Sequence, residues 1–162
     1  MPKSADTTTF EIFDVVRLFR LRFEEAIAAS DVVVTSAEAR VLTNLAVHGS
    51  LRQAEIADRL AIGAMSVTSL IDRLERSGFV RREPDPDDRR ANRVHLTDRS
   101  EPVLRRIGEV KALLSERARV DIDPEDYATY TDVVRRIRKN LLSSETVGDL
   151  ANTATGKGAA NA

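Results

Sequence analysis

Residues Leu51 to Thr97 constrain this chain more tightly than any other stretch. They read LRQAEIADRLAIGAMSVTSLIDRLERSGFVRREPDPDDRRANRVHLT. The spacing predicts a short helix over Gln53 to Leu60, with Ile56, Ala57 and Leu60 facing inward. Ala61-Ile62-Gly63 is a turn, with Gly63 at the N-cap of the next helix. That second helix is predicted from Ala64 to Ser77, with Val67, Leu70, Ile71 and Leu74 as its buried stripe. Gly78 stops it, and Phe79, Val80 and Arg81 begin a strand. Pro84, Asp85, Pro86, Asp87 and Asp88 suit neither helix nor central strand and form a predicted loop tip. Arg93 to Thr97 alternates as a returning strand. A short helix, a tight turn, a second helix and an arginine-tipped hairpin, in that order, suit a chain that lays one helix in the major groove of DNA and a loop beside it.

The chemistry expected of this unit lies in a few side chains. Met65, Ser66, Thr68 and Ser69 sit near the start of the second helix, where small side chains let backbone approach base edges. Their hydroxyls bond bases or phosphates, or else cap the helix start. Met65 meets a thymine methyl or packs on the preceding helix. Gln53 caps the first short helix and reaches a phosphate. Strand alternation turns Arg81 and Arg82 to opposite faces, so one of the two addresses the DNA backbone, and Arg82 is the one expected to do so. Arg89 and Arg90 flank the hairpin tip, where an arginine enters a narrow minor groove or clamps a phosphate. Asp88 is expected to orient one of them through a charge-assisted bond. Arg73 and Arg76 are expected in surface or intramolecular pairs. His48 closes a helix before Gly49, where a partly positive ring is favourable, or bonds an anion.

Composition narrows the alternatives. The 162 residues hold no cysteine, which excludes disulfides, thiolate nucleophiles and cysteine redox switches. Two histidines are too few for a typical histidine metal site. No apolar run approaches the roughly 18 residues of a membrane span, and the first ten residues lack a signal-peptide core. The expected location is the cytoplasm, with no membrane partner and no cofactor. No G-x-S-x-G, phosphate-binding glycine loop or paired metal-ligand spacing occurs, so an enzyme is not expected. Net charge is −1. From Arg73 to Arg93, however, seven arginines face five acids (Glu75, Glu83, Asp85, Asp87 and Asp88). A hairpin can point the two sets in different directions.

The flanks are helical. Ile12, Val16, Phe19, Phe23 and Ile27 recur at helical spacing over Phe10 to Ala29, and Phe13 and Leu18 widen that apolar face beyond one stripe. Thr35 and Glu38 form a capping-box pair ahead of Ala37, Val41, Leu42 and Leu45, and Gly49 ends that helix. Thr97 is expected to cap a long helix from Asp98 to Arg119. Pro124 opens another, with Tyr127, Tyr130, Val134, Ile137 and Leu141 on one face. These helices need a partner: their apolar faces can close against each other and against a second copy, and a two-fold dimer would present two reading helices.

The chain resembles the MarR/SlyA family of bacterial winged helix-turn-helix regulators. The resemblance rests on VTSAEARVL at 33–41, SVTSLIDRLERSGFVRR at 66–82, DPDDRRANRVHLT at 85–97 and LTDRSEPVL at 96–104, and it spans about residues 10–142. It implies a mostly α fold with a small β wing, in which a winged helix-turn-helix is flanked by terminal dimerisation helices. The family's recognition helix falls on Ala64 to Ser77 and its Asp-x-Arg wing signature on Asp88 and Arg90. Ser69 departs from the basic side chain that many members carry there. On this pattern the chain divides into a flexible N-terminus at 1–9, a dimerisation helix and linker at 10–34, the DNA-binding lobe at 35–97, dimerisation helices at 98–142 and a disordered tail at 143–162. The implied function is sequence-specific binding of a pseudopalindromic double-stranded operator by a homodimer. Repression released by a small aromatic or phenolic anion is implied with it. The contrasting expectation is a dimeric helical module whose winged unit docks on protein.

Overall fold

The computed structural model describes residues 5–143 with the exception of residue 89. Arg89 and the tail expected to be disordered beyond Ser143 therefore lie outside the described residues. The order of elements is α1 (Ala5–Ala28), α2 (Ser36–His48), β1 (Leu51–Arg52), α3 (Gln53–Leu60), α4 (Ala64–Arg76), β2 (Val80–Pro84), β3 (Asn92–Leu96), α5 (Glu101–Ala118) and α6 (Pro124–Ser143). The fold is mostly helical, with a small three-stranded wing. The chain divides into two compact units, Met1–Ala118 and Arg119–Ala162.

Local chemistry sets the helix limits. At the start of α2, the Thr35 hydroxyl accepts from the Glu38 amide at 3.3 Å, and the Glu38 carboxylate accepts the Thr35 amide at 2.8 Å. This is the capping box expected from the sequence. Gly78 ends α4 at φ 75°, a left-handed backbone that a side chain resists. The turn between α3 and α4 goes left-handed at Ala61, φ 52°, although Gly63 stands two residues on. The Ala61 amide still closes α3 by donating to the carbonyl of Asp58 at 3.2 Å. Gly63 keeps an extended backbone and occupies the N-cap of α4 as expected.

One core joins the elements of the first unit. Leu42, Leu45, Ile56, Val67, Ile71, Leu74, Val80, Val94 and Ile107 are almost fully buried. Side chains of this kind contribute about 1.5–3 kcal/mol each on burial. The stripe predicted for α4 is the buried one. In α1 only Phe23 and Ile27 reach the core, while Phe10, Ile12, Phe13, Val16, Leu18 and Phe19 are exposed. The wide apolar face of this helix is thus left largely uncovered by its own chain. In the second unit, the rings of Tyr127 and Tyr130 meet at a tilt of 38° with centroids 5.9 Å apart, and Val134, Ile137 and Leu141 are exposed.

Three expectations are corrected. The long helix after the hairpin begins at Glu101, behind a 3₁₀ turn at Asp98–Ser100, and Thr97 does not cap it. The Thr97 hydroxyl instead donates to the Gly78 carbonyl at 2.6 Å, closing the base of the hairpin. The first helix begins at Ala5, ahead of the Phe10 predicted by periodicity. Finally, β1 was not expected: Leu51 pairs with Val94 and Arg52 with Arg93, giving the sheet order β1-β3-β2. Two residues carry no period, so this strand becomes visible only once β3 lies beside it.

Candidate nucleic-acid interface

The surface is built outward from α4. Its inward stripe seats the helix against α2 and α3 and turns the opposite face to solvent. Met65, Ser66, Thr68 and Ser69 are all exposed there, Met65 at 88%. Met65 therefore does not pack on the preceding helix. The Thr68 hydroxyl donates to the Ala64 carbonyl at 3.1 Å and lies 3.3 Å from the Gln53 side-chain amide. Gln53 does not cap α3 as expected: Arg52 holds the N-cap, and Gln53, the first residue of the helix, sits between Thr68 and Arg82. Oriented with its oxygen toward Arg82, it accepts from Nε at 3.0 Å and Nη2 at 3.3 Å.

Arg82 is engaged within the chain. Its guanidinium donates to Asp72 at 2.5 Å and to Glu75, both on α4, and its backbone amide donates to Glu75 at 3.0 Å. β2 is thereby tied to the helix it flanks. Arg81 faces the other way, as alternation requires, and donates to Glu83 at 2.7 Å and to the Leu96 carbonyl at 3.1 Å. Glu83 also faces His95, 3.3 Å away. The Arg81 hydrogen bond leads the influences that hold the Glu83 carboxyl below its ordinary range.

The hairpin has a tighter base than the sequence suggested. The β2–β3 register runs from Val80 opposite Leu96 to Pro84 opposite Asn92, so Pro84 ends the strand and is not part of the tip. Asp85 is also not a tip residue. Its side chain is fully buried. One carboxylate oxygen accepts from Arg52 Nε at 2.7 Å and Arg93 Nε at 2.8 Å, and the other accepts the Asp87 amide at 2.8 Å. The Arg52 hydrogen bond is the main reason that the Asp85 carboxyl lies far below the usual range; burial opposes it without prevailing. Arg93 donates further to the Ser50 carbonyl at 2.9 Å. At the tip, Asp88 accepts the Arg90 backbone amide at 3.0 Å, a local turn that fixes the backbone beneath the exposed Arg90.

Arg73 forms an intramolecular pair, as expected. It donates to Glu38 at 2.8 Å and to the Ser69 hydroxyl at 3.1 Å. Burial pushes the Glu38 carboxyl up, but the bonds from Arg73 and Thr35 outweigh it and leave the group below its ordinary value. His48 is exposed at the end of α2. Sequence reasoning missed Asp72, Glu75 and Asp85 as partners of named arginines. The available signal was the number of arginines on short strands facing an equally short list of acids.

Residues of α1, α2 and α5 line an open groove of about 290 Å³, formed by Phe19, Arg20, Phe23, Arg40, Lys111, Leu114 and Ser115. Lys111 Nζ lies 5.7 Å from the Phe23 ring centre and donates to Thr43 at 3.0 Å. Burial lowers the pKa of Lys111; burial and then the charge of Arg20 lower that of Arg40. Among the described residues no group of three or more His, Asp or Glu side chains is placed to hold a metal. No described helix is long and apolar enough to cross a membrane.

Comparison with known proteins agrees with this geometry. Residues 34–91 match the model of the MarR family. The uncharacterised HTH-type transcriptional regulator YkoM of Bacillus subtilis is 38% identical over 89 residues, covering 55% of this chain and 58% of that protein. The HTH-type transcriptional repressor MdtR of the same organism is 42% identical over 65 residues, covering 40% and 42%. The chain spans about half the length of the curated relatives it matches. Among solved structures, the transcriptional regulator PA3341 superposes with a TM-score of 0.71 at 26% identity, covering 85% of this chain and 99% of that one. Apo MarR from E. coli gives 0.69 at 21% identity, covering 80% and 94%.

Proposed function

We propose that this chain, which belongs to the MarR family of winged helix-turn-helix proteins, is a sequence-specific DNA-binding regulator of transcription that acts as a repressor. The observation that carries this reading is the undefended outer face of α4. Met65, Ser66, Thr68 and Ser69 are exposed together on a helix whose other face is locked into the core, with the wing beside it. Ser66, Thr68 and Ser69 supply hydroxyls for base edges or phosphates, and Met65 an apolar contact for a thymine methyl. Arg90 addresses the minor groove or its phosphates from the tip. Gln53 and Arg82, bonded to each other beside α4, would contact a phosphate, and Arg82 would exchange part of its bonding to Asp72 and Glu75 for it.

The uncovered apolar residues of α1, and those of α6, support a homodimer. Two copies of α4 would then read half-sites about 34 Å apart in a pseudopalindromic operator. The groove of Phe19, Phe23, Arg20, Arg40 and Lys111 pairs aromatic walls with three cations, which suits a small aromatic or phenolic anion. A ligand bound more tightly in a geometry that does not fit the operator would release DNA by linkage.

The test is fluorescence anisotropy against the DNA beside its own gene, at two salt concentrations, with Arg90→Ala in parallel. Tight, salt-sensitive binding that resists competitor DNA and weakens in the variant supports the reading. The second reading, a helical module that docks on protein, is favoured by the net charge of −1 and by the neutralisation of Arg82 by two acids. Affinity for DNA that is weak and indifferent to sequence would move the conclusion there.

A further inference from the structure

We propose that Asp85 is the positioning residue that makes the wing and the helix-turn-helix a single reader, so that the contact made by Arg90 depends on a carboxylate that itself touches no DNA. This rests on the DNA-binding reading above and adds to it a residue outside the family's Asp-x-Arg signature at Asp88 and Arg90.

The geometry is specific. Asp85 opens the loop that carries Arg90, and its side chain is fully buried. One oxygen holds two arginines from two other elements: Arg52, which precedes α3 and pairs in β1, and Arg93, on β3. The other oxygen holds the loop amide of Asp87. The Asp85 amide donates to the Ala91 carbonyl at 3.0 Å, closing the loop behind it. Arg52 is also fixed at the start of α3, where its backbone amide donates to Glu55 at 2.7 Å. A continuous path therefore runs from the tip, through Asp85 and Arg52, into the first helix of the reading unit. The hydrogen bonds within the tip itself, Asp88 to Arg90 and Ala91 to Asp88, bind it only to itself.

β1 and the bonds of Arg82 to α4 hold the base of the hairpin, but the loop beyond Pro84 extends past these ties on short strands. Placing an arginine in a groove about 6 Å wide requires the tip to be fixed relative to the helix in the neighbouring major groove. The two arginines fork onto one buried carboxylate, an arrangement that is charge-assisted and directional. Removing that carboxylate leaves both guanidiniums without it and frees the tip. The core stays intact because it is made by Val80, Val94 and Leu51 beneath the wing.

The experiment is a double-mutant cycle on the full chain, using Asp85→Asn and Arg90→Ala. The probe is a double-stranded DNA fragment selected by the wild-type protein from a random-sequence pool. In the wild-type background Arg90→Ala is expected to weaken binding about tenfold and to reduce the salt slope by about one. In the Asp85→Asn background it should change affinity less than about twofold, since the tip no longer presents the arginine. Thr68→Ala on α4 should cost the same in both backgrounds. Hydrogen exchange, with no DNA present, should show faster exchange at Asp87 and Ala91 in Asp85→Asn, with the α4 amides unchanged. Arg52→Gln, which leaves the Arg93 contact in place, should give a smaller effect in the same direction and serves if Asp85→Asn does not fold. If the wild-type protein selects no sequence, the DNA-binding reading fails. If it does select one and Arg90→Ala costs the same in both backgrounds, or the wing amides stay protected, the role of Asp85 is refuted and the DNA-binding reading stands.

Discussion

Replacing Glu38 with alanine tests how the base of the reading unit is held. The carboxylate accepts three bonds: the Thr35 amide at 2.8 Å, the Thr35 hydroxyl at 2.8 Å and Arg73 Nε at 2.8 Å. The first two complete the cap of α2, and the third ties that cap to α4. Losing half of a capping box costs about 1 kcal/mol. A charge-assisted hydrogen bond is worth about 1.5–3 kcal/mol. Arg73, however, is 44% exposed and keeps Ser69 and water as partners, so about 1 kcal/mol of that survives screening. The sum is about 2 kcal/mol, or about 4–8 °C in Tm for a chain of this size. Glu38→Gln retains one acceptor for the cap and should lose about half as much. The acid dependence has a definite sign. The folded Glu38 pKa lies below its ordinary 4.5, so its contribution is full above about pH 4.5 and is lost as pH falls through the folded value. Wild type and Glu38→Ala should therefore differ most at neutral pH and converge in acid. Urea unfolding at pH 7 and pH 3, with a double-mutant cycle against Arg73→Ala, measures all of this. A Glu38→Ala loss under about 0.5 kcal/mol at pH 7, or a gap that widens in acid, would refute the reasoning.

Three further outcomes are expected. Ala61→Gly relieves a left-handed backbone at φ 52° and should stabilise the fold by about 0.5–1 kcal/mol in chemical denaturation, with no change in DNA affinity. Met65→Ala removes a side chain that is 88% exposed, so unfolding should shift by less than about 0.5 kcal/mol while affinity for selected DNA falls; an equal loss on random DNA would count against a base contact. Leu42→Ala, wholly buried at the centre of the core, should cost about 2–5 kcal/mol in the same unfolding assay.

The outer face of α4 was legible before the structure because it is the complement of a periodic stripe. Once Val67, Leu70, Ile71 and Leu74 turn inward, Ser66, Thr68 and Ser69 have nowhere to point but out. Other assignments failed for the opposite reason. Asp85 sits in a Pro-Asp-Pro run that looks like any exposed turn. Its burial depends on Arg52, 33 positions earlier in the chain. Thr97 looked like a helix cap, and the nearby Gly78 carbonyl, 19 residues earlier, claimed its hydroxyl instead.

The sequence by itself therefore determined what is local. Caps, periodicity and glycine punctuation act within a few residues, and they set the limits of α2, α3 and α4, the turn between α3 and α4, and the face that α4 buries. Tertiary structure decided what each charge is used for. It gave Arg82 to Asp72 and Glu75, Arg73 to Glu38, and both Arg52 and Arg93 to Asp85, while leaving Arg90 exposed at the tip. A charged side chain has no period and many equivalent partners along a sequence. Its partner is fixed only when packing of the apolar core brings distant segments within hydrogen-bond reach.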